Sequence, residues 1–432
     1  MKSLWQDING FEEFPTLKHN TRTSVLIIGG GIAGILTAYM LQKKNVPYIL
    51  VEKGHICEGV TAKTTAKITF QHGLIYDKLL KSFGIEKTRM YLDANRLALD
   101  MYEKLCKNIE CDFEIKDNYV YSTANRIKLE AEMRAIEAIG YKAYFEEKLP
   151  IPIKTEGAVC FKNQAQFHPM KFLMEISKGL NIYENTFVRK LAKKSVITDY
   201  GRIDADKIIV TTHFPFINNH GNFFLKLYQN RSYVIALEKA QDVSGMYVDE
   251  DKKGLSFRNS GELLLLGGGS HRTGKQGGNW NELRQFSEKH YVRAEEKYHW
   301  ATQDCMSLDD VPYIGLYSTK TPDMYVASGF NKWGMTSALV SAILLSDMVT
   351  GVKNDYAEVF KPSRSILKPQ LLLNGLETTK NLLTITEKRC PHLGCALKWN
   401  KTEHTWDCPC HGSRFTKEGE LIDNPANGNL KI

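Results

Sequence analysis

Apolar and polar positions sort the front of the chain into a strand, a turn, a helix and a second strand. Residues 25–28 form a short, wholly apolar run suited to a strand buried on both faces, residues 35–43 are helix-forming, and Tyr48–Val51 is a second apolar run closed by Glu52. From Met90 onward, Met90, Ala94, Leu97, Met101, Leu105 and Ile109 recur at helical spacing, which predicts an amphipathic helix with its charged residues opposite. A strand at 119–122, a helix at 126–139 and a strand near 141–145 complete an α+β insert.

Pro169 opens a further predicted helix, followed by a strand containing Val188 and an apolar strand over 205–212. From Arg231, the segments SYVIALEK, GMYVD, GLSFR and ELLLLGGG are short strands between Asp, Lys and Gly turns, the pattern of an antiparallel sheet. Residues 312–351 predict a strand pair, a glycine-bounded loop and a long apolar helix beginning near Thr336.

Length adds that 432 residues hold two or three domains, and 43% hydrophobic with 25% charged residues is ordinary for a globular chain. The longest apolar stretch, 338–345, is too short to cross a bilayer, and residues 1–20 carry Asp7, Glu12 and Glu13 in place of a secretory apolar core. A cytoplasmic location is the expectation. The formal charge of +8 is spread without a basic tail, so it predicts solvated surface or an acidic redox partner and argues against nucleic acid. Five of the nine cysteines are scattered, whereas Cys390, Cys395, Cys408 and Cys410 crowd into twenty-one residues.

The glycines between the first strand and helix carry chemistry. Gly29, Gly31 and Gly34 have G-x-G-x-x-G spacing, and the strand before, helix after and acid-ended second strand complete the context of a dinucleotide fingerprint. Gly29 permits the tight turn, Gly31 admits a pyrophosphate to the backbone at the helix N-terminus, and Gly34 lets helix and strand approach. Glu52 would accept hydrogen bonds from ribose hydroxyls and repel a 2′-phosphate, which favours FAD or NAD over NADP. In the following loop, GVTAKTTAKITF, the hydroxyls of Thr61, Thr64 and Thr65 suit either a flat polar ring or a plain threonine-rich turn.

With IIGGGIAGILTAYML and VEKG, the Val188 strand, ADKIIVTT and PYIG…YVASGFNKWGMT in place, the chain resembles the D-amino-acid oxidase-like family of FAD oxidoreductases over about residues 20–355. The resemblance implies an α/β Rossmann-like FAD-binding domain interrupted by an α+β antiparallel-sheet substrate domain that roofs the site, with FAD also touching Val188, Gly329, Trp333, Gly334 and Met335. The helix near Thr336 would turn its positive N-terminus to the flavin pyrimidine edge. A substrate carboxylate would need an arginine in the antiparallel sheet; Arg258 and Arg272 are candidates, with His271 as polar partner. GGGSHRTG at 267–274 has Arg272 where a second fingerprint would need glycine, so a built-in NAD(P)H site is not expected.

The C-terminal run CPHLGCALKWNKTEHTWDCPCHGSRF pairs Cys390 with His392 and Cys408 with His411. Two thiolates and two neutral imidazoles suit a [2Fe-2S] cluster with mixed ligation, and tetrahedral zinc is the chemical alternative. Gly394 and Gly412 allow the tight loops, while His404 reads as a surface residue. CPHLGC…CPCHGS is similar to the Rieske fold almost letter for letter, and this small all-β fold implies that Cys390, His392, Cys408 and His411 ligate iron. It further implies a Cys395–Cys410 disulfide bracing the loops and a Ser413 hydroxyl donating to a bridging sulfide. Respiratory members carry tyrosine where this chain has Phe415, which implies a lower potential.

The expected division is a lead-in arm at 1–20, the oxidase-like part at 21–355, a linker at 356–380 and the Rieske domain at 381–432. Within the oxidase-like part, FAD segments are expected at 21–85, 150–220 and 300–355, and substrate segments at 86–149 and 221–299. So short a Rieske domain needs its cluster as a staple and would borrow lead-in strands from the flavin domain. FAD accepts two electrons and a Rieske cluster one, so the implied activity is a dehydrogenase that oxidises a small amine, amino acid or hydroxy acid and delivers electrons through the cluster to an external acceptor. A reductase fed through the cluster by a ferredoxin-like donor, a redox relay or sensor without substrate, and a plain oxidase are the alternatives.

Overall fold

A computed structural model of the chain describes residues 2–8, 10–192, 194–251, 253–431. At its centre Thr21–Ile28 pairs in parallel with Tyr48–Val51 on one side and Arg202–Val210 on the other, so Ile28 lies opposite both Val51 and Val210. All three strands end in apolar runs because both faces are covered there: Val25, Ile27, Leu50 and Ile209 pack on the side of helices Ile32–Lys43 and Gly334–Thr350, and Leu26, Ile28, Val51 and Val210 pack against Val188, Val196 and Phe214. Thr321–Ser328 extends the parallel set, Tyr313–Ser318 turns back antiparallel beside it, and Ile182–Tyr183 closes the far edge.

The first helix is Ile32–Lys43, starting three residues before the predicted position, directly at the last glycines of the fingerprint. A Cβ on Gly34 would stand 1.9 Å from the carbonyl oxygen of Gly29, so only glycine lets this helix cross the strand so closely. The helix is buried nearly all round, packed on Gly334–Thr350, which is also apolar on every side. Helices with no polar face belong in the interior.

A second, nine-stranded sheet stands over the carboxyl ends of the first. Leu227–Glu238 lies between Leu263–Arg272 and Glu295–Ser307, antiparallel to both. Leu227–Glu238 and Leu263–Arg272 run beyond the segments expected, Glu295–Ser307 is not among them, and one pairing, Met246–Asp249 with Glu114–Tyr121, is parallel. Lys67–Ile68, Ala158–Gln166 and Glu295–Ser307 all join this sheet, so it draws residues from each of the three segments expected in the FAD part.

The predicted helix from Met90 is the later part of Tyr76–Cys106, kinked at Gly84 where φ is +78°. Its buried face carries Tyr91, Leu92, Asn95, Leu99, Tyr102 and Cys106, while Leu97 is exposed. Aromatic rings two turns or more apart, ignored by an aliphatic count, set which face turns inward.

Residues 356–380 are no plain linker. Ala357–Phe360 and Pro369–Leu383 are helices, and the buried Arg364 guanidinium grips the Asp309 carboxylate and the carbonyl oxygens of Pro312 and Phe360. The C-terminal residues form a four-stranded sheet of Lys398–Asn400, Thr405–Asp407, Arg414–Phe415 and Leu421–Asp423. Among the described residues no strand of the other sheets joins it, contrary to the expected borrowing. The small domain is held by side-chain docking instead.

Candidate functional site between two sheets and the C-terminal domain

At the carboxyl ends of the parallel strands lies a cavity of about 810 Å³, bounded by residues of all three sheets. That size falls in the range of roughly 300–1,000 Å³ typical of ligand sites. Gly29, Gly31, Glu52, Thr61, Thr64, Thr65, Val188, Trp333, Gly334 and Met335 line it; Gly34 and Gly329 stand behind the lining. Glu52 accepts hydrogen bonds from the backbone N–H of Gly30 at 2.7 Å and of Gly54 at 3.2 Å, which aims the carboxylate across the glycine turn. Thr61 Oγ1 accepts from the N–H of Ile32 at 3.1 Å, tying the threonine loop to the start of the first helix.

The opposite wall comes from the second sheet, through Ser232, Tyr233, Ser270, Thr302 and Asp304. Two residues that the sequence left without a role also face the cavity. Lys67 is only 9% exposed; burial, and then the nearby Arg258 charge, push its ammonium down to about 7. His72 is stacked on Trp333, ring centroids 5.1 Å apart, with Nδ1 paired to the Tyr91 hydroxyl at 2.6 Å and Nε2 to the Thr69 carbonyl at 2.8 Å. Burial pushes His72 down to about 3, so it stays neutral and acts as a fixed wall behind the indole. Lys67 was legible only as one more polar residue of a threonine loop.

The predicted substrate residues lie elsewhere. Arg258 is buried outside the cavity lining, donating to the Ala66 carbonyl at 3.1 Å and packing its guanidinium over Trp5. His271 stacks on Tyr233 and pairs Nδ1 with the Gly269 carbonyl. Arg272 points away to the C-terminal domain, giving hydrogen bonds to the carbonyl oxygens of Pro409 and Cys410 at 2.9 Å each and to Asn374 Oδ1 at 2.8 Å. Alternation along a strand sends neighbours to opposite faces, and the sequence alone could not say which face meets the cavity.

In the C-terminal domain Cys390 and Cys408 are buried free thiols, and the rings of His392 and His411 stand with centroids 4.9 Å apart. Both His Nδ1 atoms are buried without a hydrogen-bond partner, and burial pushes His392 down to about 4 and His411 to about 3. Two neutral imidazoles with unpartnered Nδ1 atoms and two buried thiols on the same two loops are a donor set that fits a mixed-ligand iron–sulfur cluster. Cys395 and Cys410 are joined in a disulfide with Cα atoms 6.7 Å apart, and Ser413 reaches the sulfur of Cys390. His404 sits exposed in a turn.

The domain is seated directly on the cavity. Leu421, Asp423, Asn424 and Ala426 form part of its lining, and Asn424 Nδ2 donates to the carbonyls of Thr212 and Phe214. Gln229 donates to the His411 carbonyl and Gln303 to the Gly412 carbonyl, both from strands of the second sheet. A Cβ on Gly412, where φ is +85°, would stand 2.6 Å from Gln229; one on Gly274 would stand 2.6 Å from the Pro409 nitrogen. The GGGSHRTG segment is therefore the seat of the CPCH loop. Beneath it, Arg231 meets Glu403, and Arg414 bonds Glu403 at 2.8 Å, Asp407 at 3.1 Å and Asp423 at 3.1 Å, almost all out of water.

Residues 24–348 match the FAD dependent oxidoreductase family and residues 357–432 the Rieske [2Fe-2S] domain. The Bacillus subtilis (strain 168) protein YhfW, provisionally named a Rieske 2Fe-2S iron-sulfur protein, is 36% identical over an alignment of 494 positions spanning all of this chain and 97% of YhfW. Glycine oxidase from Geobacillus kaustophilus shares the fold with TM-score 0.65 at 18% identity, over 80% of this chain and 99% of its own. L-proline dehydrogenase from P. horikoshii gives 0.66 at 16%, over 81% and 98%. FAD and a [2Fe-2S] cluster are the cofactors these two parts bind. The chain belongs to the FAD dependent oxidoreductase family and carries a Rieske [2Fe-2S] domain at its C-terminal end.

Proposed function

We propose that this oxidoreductase is a dehydrogenase of a small anionic amine, amino acid or hydroxy acid that sends its electrons outward through the Rieske domain. The observation that carries the reading is the shared cavity: Leu421, Asp423, Asn424 and Ala426 of the Rieske domain line it together with the glycine fingerprint, and Gln229 and Gln303 bind the His411 and Gly412 carbonyls from strands whose neighbours Asn230 and Thr302 line that cavity. When bound, FAD supplies two-electron oxidation of a C–H bond beside nitrogen or oxygen and the cluster supplies one-electron transfer.

This chain's own residues do the rest. Gly29 and Gly31 leave room for a pyrophosphate at the N-terminus of Ile32–Lys43, and Glu52 takes the ribose hydroxyls. Thr61, Thr64, Thr65, Trp333, Gly334 and Met335 border the flavin ring, where the N-terminus of Gly334–Thr350 favours negative charge. Lys67 replaces Arg258 and Arg272 as the group that pairs with the substrate's carboxylate, since it alone of the three lines the cavity. Cys390, His392, Cys408 and His411 hold the cluster, and Ser413 donates beside it. Glycine oxidase and L-proline dehydrogenase are named for amino-acid substrates, which supports the same class here. The protein is expected in the cytoplasm; among the described residues no helix is long and apolar enough to cross a membrane.

Anaerobic addition of amino acids, small amines and hydroxy acids, followed by flavin absorbance, tests the reading. Bleaching by an anionic member and not by its amide or ester supports it. Bleaching only through a reduced ferredoxin, with every small molecule inert, would reverse the direction of flow.

A further inference from the structure

Helix Pro369–Leu383 is built inside out. Its inward face is polar: Asn374 accepts from Arg272, Glu377 binds Lys275, and the Asn381 carbonyl accepts from the N–H of Ala396. Its outward face is leucine. Leu372, Leu376 and Leu383 fall on one stripe at helical spacing and are 72%, 69% and 77% exposed, and Leu373 lies beside them. Leu367 before the helix and Ile385 after it are more exposed still, at 83% and 99%. Folded chains rarely present a continuous apolar stripe to water without a purpose.

The charge around the stripe says what covers it. Residues 361–401 contain eight Lys or Arg and two Glu; with Arg364 buried against Asp309 and Lys361 paired with Glu358, Lys368, Lys380, Lys388, Arg389, Lys398 and Lys401 remain against the two Glu. Glu377 is already neutralised by Lys275, while Lys380 sits on the leucine side of the helix, four residues after Leu376. The apolar stripe contains no aromatic residue, whereas protein-binding patches lean on Trp, Tyr and Arg. Leucine on one side with lysine and arginine at the margins is the composition that enters the boundary of an anionic bilayer.

We infer that Pro369–Leu383 seats the protein on a membrane surface rich in anionic lipid, lying in the interface without spanning it. Arg389 fixes the geometry that gives this a use. Its guanidinium donates to the carbonyls of Leu382 and Thr384 at the helix end and to that of Gly394 at 2.7 Å, so the helix is tied to the loop between Cys390 and Cys395. A bilayer under the helix lies next to that loop. Given the outward flow proposed above, on which this clause alone rests, the electron acceptor is then a lipid-dissolved carrier.

Sedimentation of the holoprotein with vesicles tests the seat independently of electron flow. Phosphatidylcholine vesicles containing phosphatidylglycerol are expected to carry the protein down, phosphatidylcholine alone to carry little, and high salt to weaken the binding. The double variant Leu372→Gln/Leu376→Gln changes only exposed side chains and is expected to lose roughly tenfold or more of the binding with flavin and iron spectra unchanged. Lys380→Glu is expected to remove the preference for anionic lipid. No sedimentation with anionic vesicles, equal sedimentation of the double variant, or a self-associated species that the same variant dissociates would each overturn the inference, the last in favour of a second copy.

Discussion

Gln229 Nε2 donates to the carbonyl oxygen of His411 at 2.8 Å, and its Oε1 accepts from Gln303, whose own Nε2 also donates to the Gly412 carbonyl. One amide pair thus joins the long strands over the cavity to the loop that carries His411. Gln229→Leu leaves buried carbonyls without donors, at about 1–3 kcal/mol each. The expected result is slower cluster reduction after substrate with flavin bleaching unchanged, followed by stopped-flow absorbance at two wavelengths. Equal slowing of both phases would mean that the pair merely supports the fold.

Lys67→Met is expected to raise KM with little change in kcat, by roughly ten- to a hundredfold if a charge-assisted bond of about 1.5–3 kcal/mol is lost. Lys67→Arg should restore part of it. Because burial and Arg258 bring the ammonium down to about 7, it is charged below that pH and neutral above it in the free protein. KM for an anionic substrate should therefore rise as pH climbs through about 7, and the Lys67→Arg profile should be flat there.

The buried ion network predicts an acid limit for docking. Burial raises the carboxyls of Glu403 and Asp423, but Arg231 and Arg414 at the first and Arg414 at the second more than offset it, so both lie below the ordinary carboxylate range when folded. For a depressed acid, the stabilisation is complete above the unfolded value of about 4 and lost as pH falls toward the folded one. Limited proteolysis should release the C-terminal domain below about pH 4 and leave it seated at pH 5–7. Glu403→Gln should release it at neutral pH too, breaking a buried pair worth about 3–5 kcal/mol.

Removing iron should loosen the ligand loops and spare the rest. In Cys408→Ser the Nδ1 atoms of His392 and His411 stay buried with no partner, whereas the glycine fingerprint and its cavity are untouched. Hydrogen exchange is expected to quicken over residues 390–395 and 408–413 and to stay unchanged over Thr21–Ile28. Quickening across both large sheets would show that the cluster braces the whole molecule.

Local rules made the two cofactor motifs legible. Gly29, Gly31, Gly34 and Glu52 act within one strand–turn–helix–strand unit, and the four iron-ligand candidates within two short loops, so spacing alone brought each set together. Arg258 and Arg272 lie outside the cavity lining because a strand's two faces differ by a single residue of register, and three-dimensional packing chose the face. Lys67, Gln229 and Gln303 carried no local signal, since their partners lie far along the chain. Most of Pro369–Leu383 falls in the segment expected as a linker, because a helix whose leucines face water leaves no core-facing pattern to mark it.

The central claim is that electrons from the substrate reach the cluster. An excess of a bleaching substrate, added anaerobically to holoprotein and frozen, should supply the three electrons that flavin and cluster take together and produce the EPR signal of a reduced mixed-ligand [2Fe-2S] centre along with the loss of flavin absorbance, and Cys408→Ser should bleach without that signal. A bleached flavin beside a cluster that stays oxidised, although dithionite reduces it, would contradict the account.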